Sequence, residues 1–158
     1  MPMKSCTSQL LEFNCNLALT LNRHSQADIV FFDFQKAFDS VSHDVIINKV
    51  KNQFNINGKM LRFLSNYLAG RQQRVALDGV FSNWATVRSG VPQGSILGPF
   101  LFVLFINDIV EVIRDGTQIL LYADDLKIWK IIESEKDSIQ PDIDNLLRWA
   151  TLNKMKFH

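Results

Sequence analysis

Apolar residues recur at helical spacing between Gln9 and Leu21, as Leu10, Leu11, Phe13, Leu17, Ala18 and Leu21, and polar Asn22 to Ser25 closes the segment. The pattern predicts a helix there. Ile29 to Phe34 is short, β-branched and aromatic, apolar on both faces except for Asp33, and predicts a strand covered on two sides. Ser42 precedes Val45, Ile46, Val50 and Phe54 with Asp44 in the first turn, which predicts a capped helix to about Gln53. A further helix is expected from Lys59 to Leu68, ended by Gly70. Arg74 to Leu77 and Trp84 to Val87 flank Asp78-Gly79 as a hairpin-like pair joined by more than a two-residue turn. Ser89 to Ser95, dense in Gly, Pro and Ser, predicts an ordered loop, and Leu97 to Ile113 a largely buried helix entered through Pro99 and ended by Gly116. Ile119 to Tyr122 and Leu126 to Trp129 flank Ala123-Asp124-Asp125 as a β-hairpin, and Ile139 to Leu152 reads as an amphipathic helix around Pro141. Mixed helices and antiparallel strands make this an α+β chain, without internal repeat or linker.

Composition adds bounds. With 158 residues, 47% of them hydrophobic, the chain can bury one sizeable core, so one compact domain is expected and disorder is not. A net charge of +1 is too balanced to argue for a polyanion partner by itself, but its distribution is uneven. Lys59 to Arg74 carries Lys59, Arg62, Arg71 and Arg74 with no acid and would suit phosphate, whereas Glu133 to Asp144 is mostly acidic and is expected to face water. Cys6 and Cys15 pair with no His at metal-ligand spacing, which predicts neither a zinc site nor a disulfide framework and fits a reduced, intracellular setting, nucleus and cytoplasm being indistinguishable. Met1-Pro2-Met3-Lys4 does not open a signal peptide, and the apolar run Ile96 to Ile109, broken by Gly98-Pro99, is too short for a bilayer span of about 20 residues, so no membrane partner is expected.

The chemistry-bearing positions are carboxylates in apolar surroundings. An ionised carboxylate within an apolar strand loses hydration at a cost of several kcal/mol unless a metal or cation replaces it, which is the problem posed by Asp33. Adjacent Asp124 and Asp125, flanked by Leu120, Leu121, Leu126 and Ile128, would repel each other without a cation. Two Mg²⁺ ions about 3.5–4 Å apart, with Mn²⁺ as an alternative, would be bridged by such oxygen ligands, one activating a hydroxyl and the other holding a triphosphate. The plain alternative is a polar hairpin turn at Asp124-Asp125 and a solvent-facing strand-end acid at Asp33.

Phe31 to Val41, Ser89 to Pro99 and Tyr122-Ala123-Asp124-Asp125 resemble, in order and spacing, three motifs of reverse transcriptases. Asp33-Phe34-Gln35-Lys36-Ala37-Phe38-Asp39, Ser89-Gly90-Val91-Pro92-Gln93-Gly94-Ser95-Ile96-Leu97-Gly98-Pro99 and Tyr122 to Asp125 resemble most the enzymes of non-LTR, LINE-type (jockey-like) retrotransposons. Ser5 to Leu11 and Gly70 to Val75 look like connecting segments of that group. The resemblance implies a polymerase palm, an antiparallel sheet with helices packed on one face, with partial fingers and no thumb, acting as an RNA-directed DNA polymerase on an RNA template, a DNA primer and dNTPs.

Carried over residue by residue, the resemblance makes Asp33, Asp124 and Asp125 the catalytic metal ligands. Phe38 falls where the family places a ring beneath the incoming sugar, excluding a 2′-hydroxyl; without the motif it would read as a core aromatic. Gly90, Pro92, Gln93 and Gly94 match a loop that packs on the incoming nucleotide and template base, with glycines permitting close approach and Gln93 hydrogen-bonding. Tyr122 lines the primer terminus or packs on its strand neighbours. Arg71 and Arg74 touch phosphate or merely solvate a helix end. Asp39, Asp44 and Asp108 are read as structural acids.

The resemblance also implies finger strands upstream and a thumb downstream of this stretch, since Leu147 to His158 looks like the start of a further family motif; no endonuclease-like segment is present. The chain thus reads as an element fragment lacking the finger and thumb segments of a parent polyprotein, a degenerate copy or a truncated gene. A catalytically inactive retrotransposon remnant that only binds nucleic acid or a partner is the alternative, and a different two-metal phosphoesterase or cyclase a third, against which the Ser89 to Pro99 loop and Phe38 argue.

Overall fold

Alternation along the apolar strands and periodicity along the helices resolve into fourteen segments in the computed structural model, which describes residues 6–22, 26–134 and 136–158. In order these are α1 (Cys6–Asn22), β1 (Gln26–Phe32), α2 (Ala37–Ser40), α3 (His43–Asn52), α4 (Gly58–Leu68), β2 (Gln72–Gln73), β3 (Ala76–Leu77), β4 (Val80–Phe81), β5 (Ala85–Thr86) and α5 (Leu97–Ile106). A 3₁₀ turn Asn107–Val112, β6 (Thr117–Tyr122), β7 (Asp125–Ile132) and α6 (Gln140–Leu152) follow. The opening Met1 to Ser5 and the end of the Asn22-to-Ser25 closure lie outside the described residues. No helix of the described residues is long and apolar enough to cross a membrane.

The chain divides into two compact units: the first runs to Phe34 and takes in Asp108–Leu152 and Lys156–His158, and the second holds Gln35–Asn107 and Asn153–Met155. The first unit holds a three-stranded antiparallel sheet in the order β1-β7-β6. Central β7 is apolar on both sides, with Leu126, Ile128 and Trp129 all buried, so both faces of the sheet need cover. α1 supplies it on the Trp129 side, where the Phe13 ring stands edge-on to Trp129 at 5.2 Å beside Leu17 and Ile29. On the side shared by Leu126 and Ile128, α6 is tied to the sheet through Asp142.

Asp142 departs from the expectation that the acidic stretch faces water. It is fully buried and accepts from the Thr117 hydroxyl at 2.7 Å and the Arg114 amide at 2.8 Å, while Pro141, early in α6, loses no helical hydrogen bond. Asp137 of the same stretch accepts from the Glu133 and Ser134 amides, which hold its carboxyl below the ordinary range. Replacing Asp142 with Ala strands two donors, and urea unfolding should lose about 2–3 kcal/mol; a loss below about 0.5 kcal/mol would mean that water readily takes the carboxylate's place.

The second unit packs α3 and α4 with α5 around Ile46, Val50, Leu64, Leu68, Leu101, Phe102 and Phe105. The buried Lys49 ammonium donates to the Phe105 carbonyl at 2.7 Å. The helix expected to run from Leu97 to Ile113 is α-helical only to Ile106 and tightens into the 3₁₀ turn where polar Asn107-Asp108 interrupts the apolar run. The hairpin pairing also differs. Ala76-Leu77 pairs with Val80-Phe81, and Gln72-Gln73 pairs with Ala85-Thr86. The reason is Asp78-Gly79: both residues adopt positive φ, 48° and 81°, the backbone of a two-residue hairpin turn, so the longer loop is unnecessary.

Candidate active site

β1 ends one residue before Asp33. Its last pair with β7 is Phe32 with Leu126; thereafter the Asp33 carbonyl accepts from the His158 amide at 2.9 Å and Phe34 bridges Phe157. The chain is drawn off the β7 ladder by its own C-terminal residues, with the Phe34 and Phe157 rings 4.4 Å apart. Asp33 is consequently exposed rather than embedded in an apolar strand, and the desolvation argument for a metal does not apply to it. Asp125, also exposed, opens β7 one step beyond the same pair, and Asp124 sits half-buried in the preceding turn.

Asp33 and Asp125 line one depression of about 340 Å³ with Phe31, Phe32, Leu126 and Lys127. Tyr122 pairs directly with Asp125 across the hairpin and is exposed. Ala123 makes the tight turn with φ 52°, a left-handed conformation costing a non-glycine residue about 1 kcal/mol. Among the described residues no side chain donates to the three carboxylates, and the Lys127 ammonium lies over the Phe13 and Phe31 rings. No three acids among the described residues are already gathered around one point. The site is a depression lined by two acids, Asp33 and Asp125, with a third, Asp124, in the adjoining tight turn.

The remaining expected site residues belong to the second unit and are fixed there by the loop Ser89 to Ser95. Phe38 is half-buried and stacks on Phe102 with centroids 4.4 Å apart, and its carbonyl accepts from the Val91 amide. Gln93 donates through Nε2 to Asp39 Oδ1 at 3.0 Å, and Ser89 donates to the Asp39 carbonyl at 2.9 Å. His43 Nε2 donates to the Gly90 carbonyl. Gly90, at φ 93°, lies so close to the Asp39 backbone that a Cβ would fall 2.9 Å from its Cα. Gly94, at φ 77°, is exposed and has open space where a Cβ would stand, leaving room for an approaching ligand.

Several organising residues escape sequence reasoning. Asp39 is the acceptor that orients the Gln93 amide. Gly98 packs so tightly that a Cβ would fall 2.4 Å from the Pro92 carbonyl oxygen. Ser95 donates to that same carbonyl while accepting from the Tyr67 hydroxyl and the Gly98 amide. A serine three residues before the first-turn amide it serves is a visible capping signal, whereas the role of Asp39 requires knowing which chain segment lies over it.

Comparison with known proteins by sequence points to one family, and comparison by structure to one fold. Residues 1–158 match the family described as reverse transcriptase (RNA-dependent DNA polymerase). The chain is 31% identical over 155 residues to the RNA-directed DNA polymerase from mobile element jockey of Drosophila funebris, covering 91% of this chain and 17% of that protein. It is 39% identical over 105 residues to the probable RNA-directed DNA polymerase from transposon BS of Drosophila melanogaster, covering 63% of this chain and 11% of that protein. In fold it is similar to the apo telomerase of Candida tropicalis truncated from its C-terminal domain, with a TM-score of 0.67, 12% identity and coverage of 99% of this chain and 35% of the other. The chain thus spans less than one-fifth of the length of these curated relatives.

Proposed function

We propose that this chain, which belongs to the reverse transcriptase (RNA-dependent DNA polymerase) family, carries the acids of an RNA-directed DNA polymerase, adding dNTPs to a DNA primer on an RNA template. The observation that carries the reading is that Asp33 and Asp125 line one depression beside the Asp124 turn, with no cation of the described residues paired to them.

Carboxylate oxygens suit a hard divalent cation such as Mg²⁺ or Mn²⁺, and Asp33, Asp124 and Asp125 offer an all-oxygen donor set with lone pairs free, so the residues fit such ions. When bound, a pair of divalent ions supplies charge neutralisation at the attacking hydroxyl and the triphosphate. The chain's own residues supply positioning. Asp33, Asp124 and Asp125 hold the negative pole on which cations gather, and the exposed Tyr122 ring stands beside Asp125 for the primer end.

Gln93, its Nε2 committed to Asp39, presents its carbonyl oxygen as an acceptor, and Gly94 leaves the adjoining backbone open. Phe38, braced by Phe102, acts as the sugar gate: a rigid ring excludes a 2′-hydroxyl more effectively than a mobile one. Phe38→Ala should raise ribonucleotide incorporation relative to deoxynucleotide by roughly 10–200-fold, the range that steric pocket contacts command. Unchanged selectivity in a folded variant would return Phe38 to a packing role. For the reading as a whole the test is primer extension with RNA template, Mg²⁺ and dNTPs; hydrolysis of a simple phosphodiester without templated addition would replace the polymerase by a phosphoesterase.

A further inference from the structure

The indole of Trp129 carries an unfinished hydrogen bond. Its ring is 4% exposed, yet its N–H donates to no acceptor among the described residues, whereas Trp149, buried alike at 5%, donates through Nε1 to Asp108 Oδ1 at 2.9 Å. A buried tryptophan ordinarily finds such a partner. No fully enclosed polar side-chain atom among the described residues lacks one, so the Trp129 N–H is not sealed in the core. The open space that Trp129 borders is a cavity of about 250 Å³ between α1 and the β6 side of the sheet, within the first unit alone.

The groups around that space sort by their chemistry. Leu19 of α1 and Ile131 of β7 form apolar walls beside the Trp129 ring. Gln118, the cross-strand partner of Trp129, brings an amide to the same side of the sheet, and Asn16 brings a second. Glu133 is the single charged residue of the lining. The side chains of Asn16, Gln118 and Glu133 bond to nothing among the described residues, while the Thr20 hydroxyl is already committed to the Asn16 carbonyl at 2.9 Å. An apolar occupant would leave the indole N–H and the carboxylate without partners, and an anionic one would meet Glu133. A single aromatic ring with a hydroxyl at one end, accepting from the indole, and an ammonium at the other, donating to Glu133, satisfies every group. Cavities for drug-sized ligands run to about 300–1,000 Å³, so this smaller one suits one ring with a short arm. We infer that the cavity of Asn16, Leu19, Gln118, Trp129, Ile131 and Glu133 is a binding site for a small hydroxylated aryl-alkylamine. It is separate from the carboxylates of the candidate active site, since Trp129 lies four residues beyond Asp125 along β7, about 13 Å at the rise of a strand.

The test is a ¹H–¹⁵N correlation titration of the whole chain with tyramine, reading the three indole N–H signals, that of Trp129 being identified by NOEs between its ring and the Phe13 ring. The Trp129 signal should shift saturably, with a Kd in about the millimolar range open to so small a ligand, while those of Trp84 and Trp149 stay in place. Phenethylamine, which lacks the hydroxyl, should bind about 2- to 10-fold more weakly, as loss of one neutral hydrogen bond does. Glu133→Gln should weaken tyramine by about 2- to 5-fold, the range of an exposed ion pair, and leave binding of 4-ethylphenol, the same molecule without its amine, unchanged. Because Glu133 is exposed and bonded to no described side chain, the variant keeps the fold. Asp33→Asn with Asp125→Asn should bind tyramine as the parent chain does, so the cavity and the polymerase reading fail separately. A Trp129 signal that never moves, one that moves only together with the other two, or an equal effect of Glu133→Gln on tyramine and 4-ethylphenol would overturn the site.

Discussion

Asp125→Asn should lower primer extension by at least about 10³-fold while leaving unfolding in urea within about 0.5 kcal/mol of the parent chain. The two halves follow from one geometry. Asp125 is exposed and bonded to no side chain among the described residues, so the fold loses little with its charge. It lines one depression with Asp33, and on the proposed function its loss would remove a cation ligand at the reacting phosphate, where charge neutralisation is worth several kcal/mol. Asp33→Asn should behave alike, and the double variant should be scarcely worse than either, because residues acting as a unit fail as a unit. An Asp125→Asn enzyme with a tenth or more of its extension would remove that acid from the site.

The second large effect separates two glycines of one loop. Gly90→Ala places a side chain at φ 93°, costing about 1–2 kcal/mol, and drives its Cβ to 2.9 Å from the Asp39 Cα and 3.0 Å from its carbonyl oxygen, both backbone atoms that cannot swing aside. Overpacking of this kind adds about 1–3 kcal/mol. The total of about 2–5 kcal/mol should appear in urea unfolding, with extension falling as the loop carrying Gln93 shifts. Gly94→Ala, at φ 77° with nothing near its Cβ, should show only the backbone share of about 1–2 kcal/mol. Its larger consequence should be a raised KM for dNTP, since the methyl enters space left open for a ligand. Equal stability losses for the two variants would mean that the close approach of Gly90 to Asp39 relaxes at little cost.

What could be read from the chain alone was what short-range pattern determines. The turn at Ala123-Asp124 between two apolar strands, α6 with Pro141 in its first turn, and the start of α3 after Ser42 all depend on neighbours within a few positions, although the Ser42 hydroxyl makes no cap bond to that helix. Asp33 shows where that reach ends. Its strand reads as continuous to Phe34, but the His158 amide and the Phe157 ring, at the far end of the sequence, end the ladder at Phe32 and turn Asp33 outward. Nor does any local pattern mark Asp142 as buried among neighbours that face water, since the donors it serves, Arg114 and Thr117, come from another segment. At the candidate site the residue types were legible through three motifs, whereas the bond from Gln93 to Asp39 and the fit of Gly98 against Pro92 exist only once the loop is folded over α2.

The most direct measurement is single-nucleotide addition to a labelled DNA primer annealed to RNA, with Mg²⁺ and each of the four dNTPs in turn, on four templates differing in the first unpaired base. Extension by the complementary dNTP is expected on each template, with its loss in Asp125→Asn. Addition indifferent to the template base, or extension unchanged in Asp125→Asn, would contradict it.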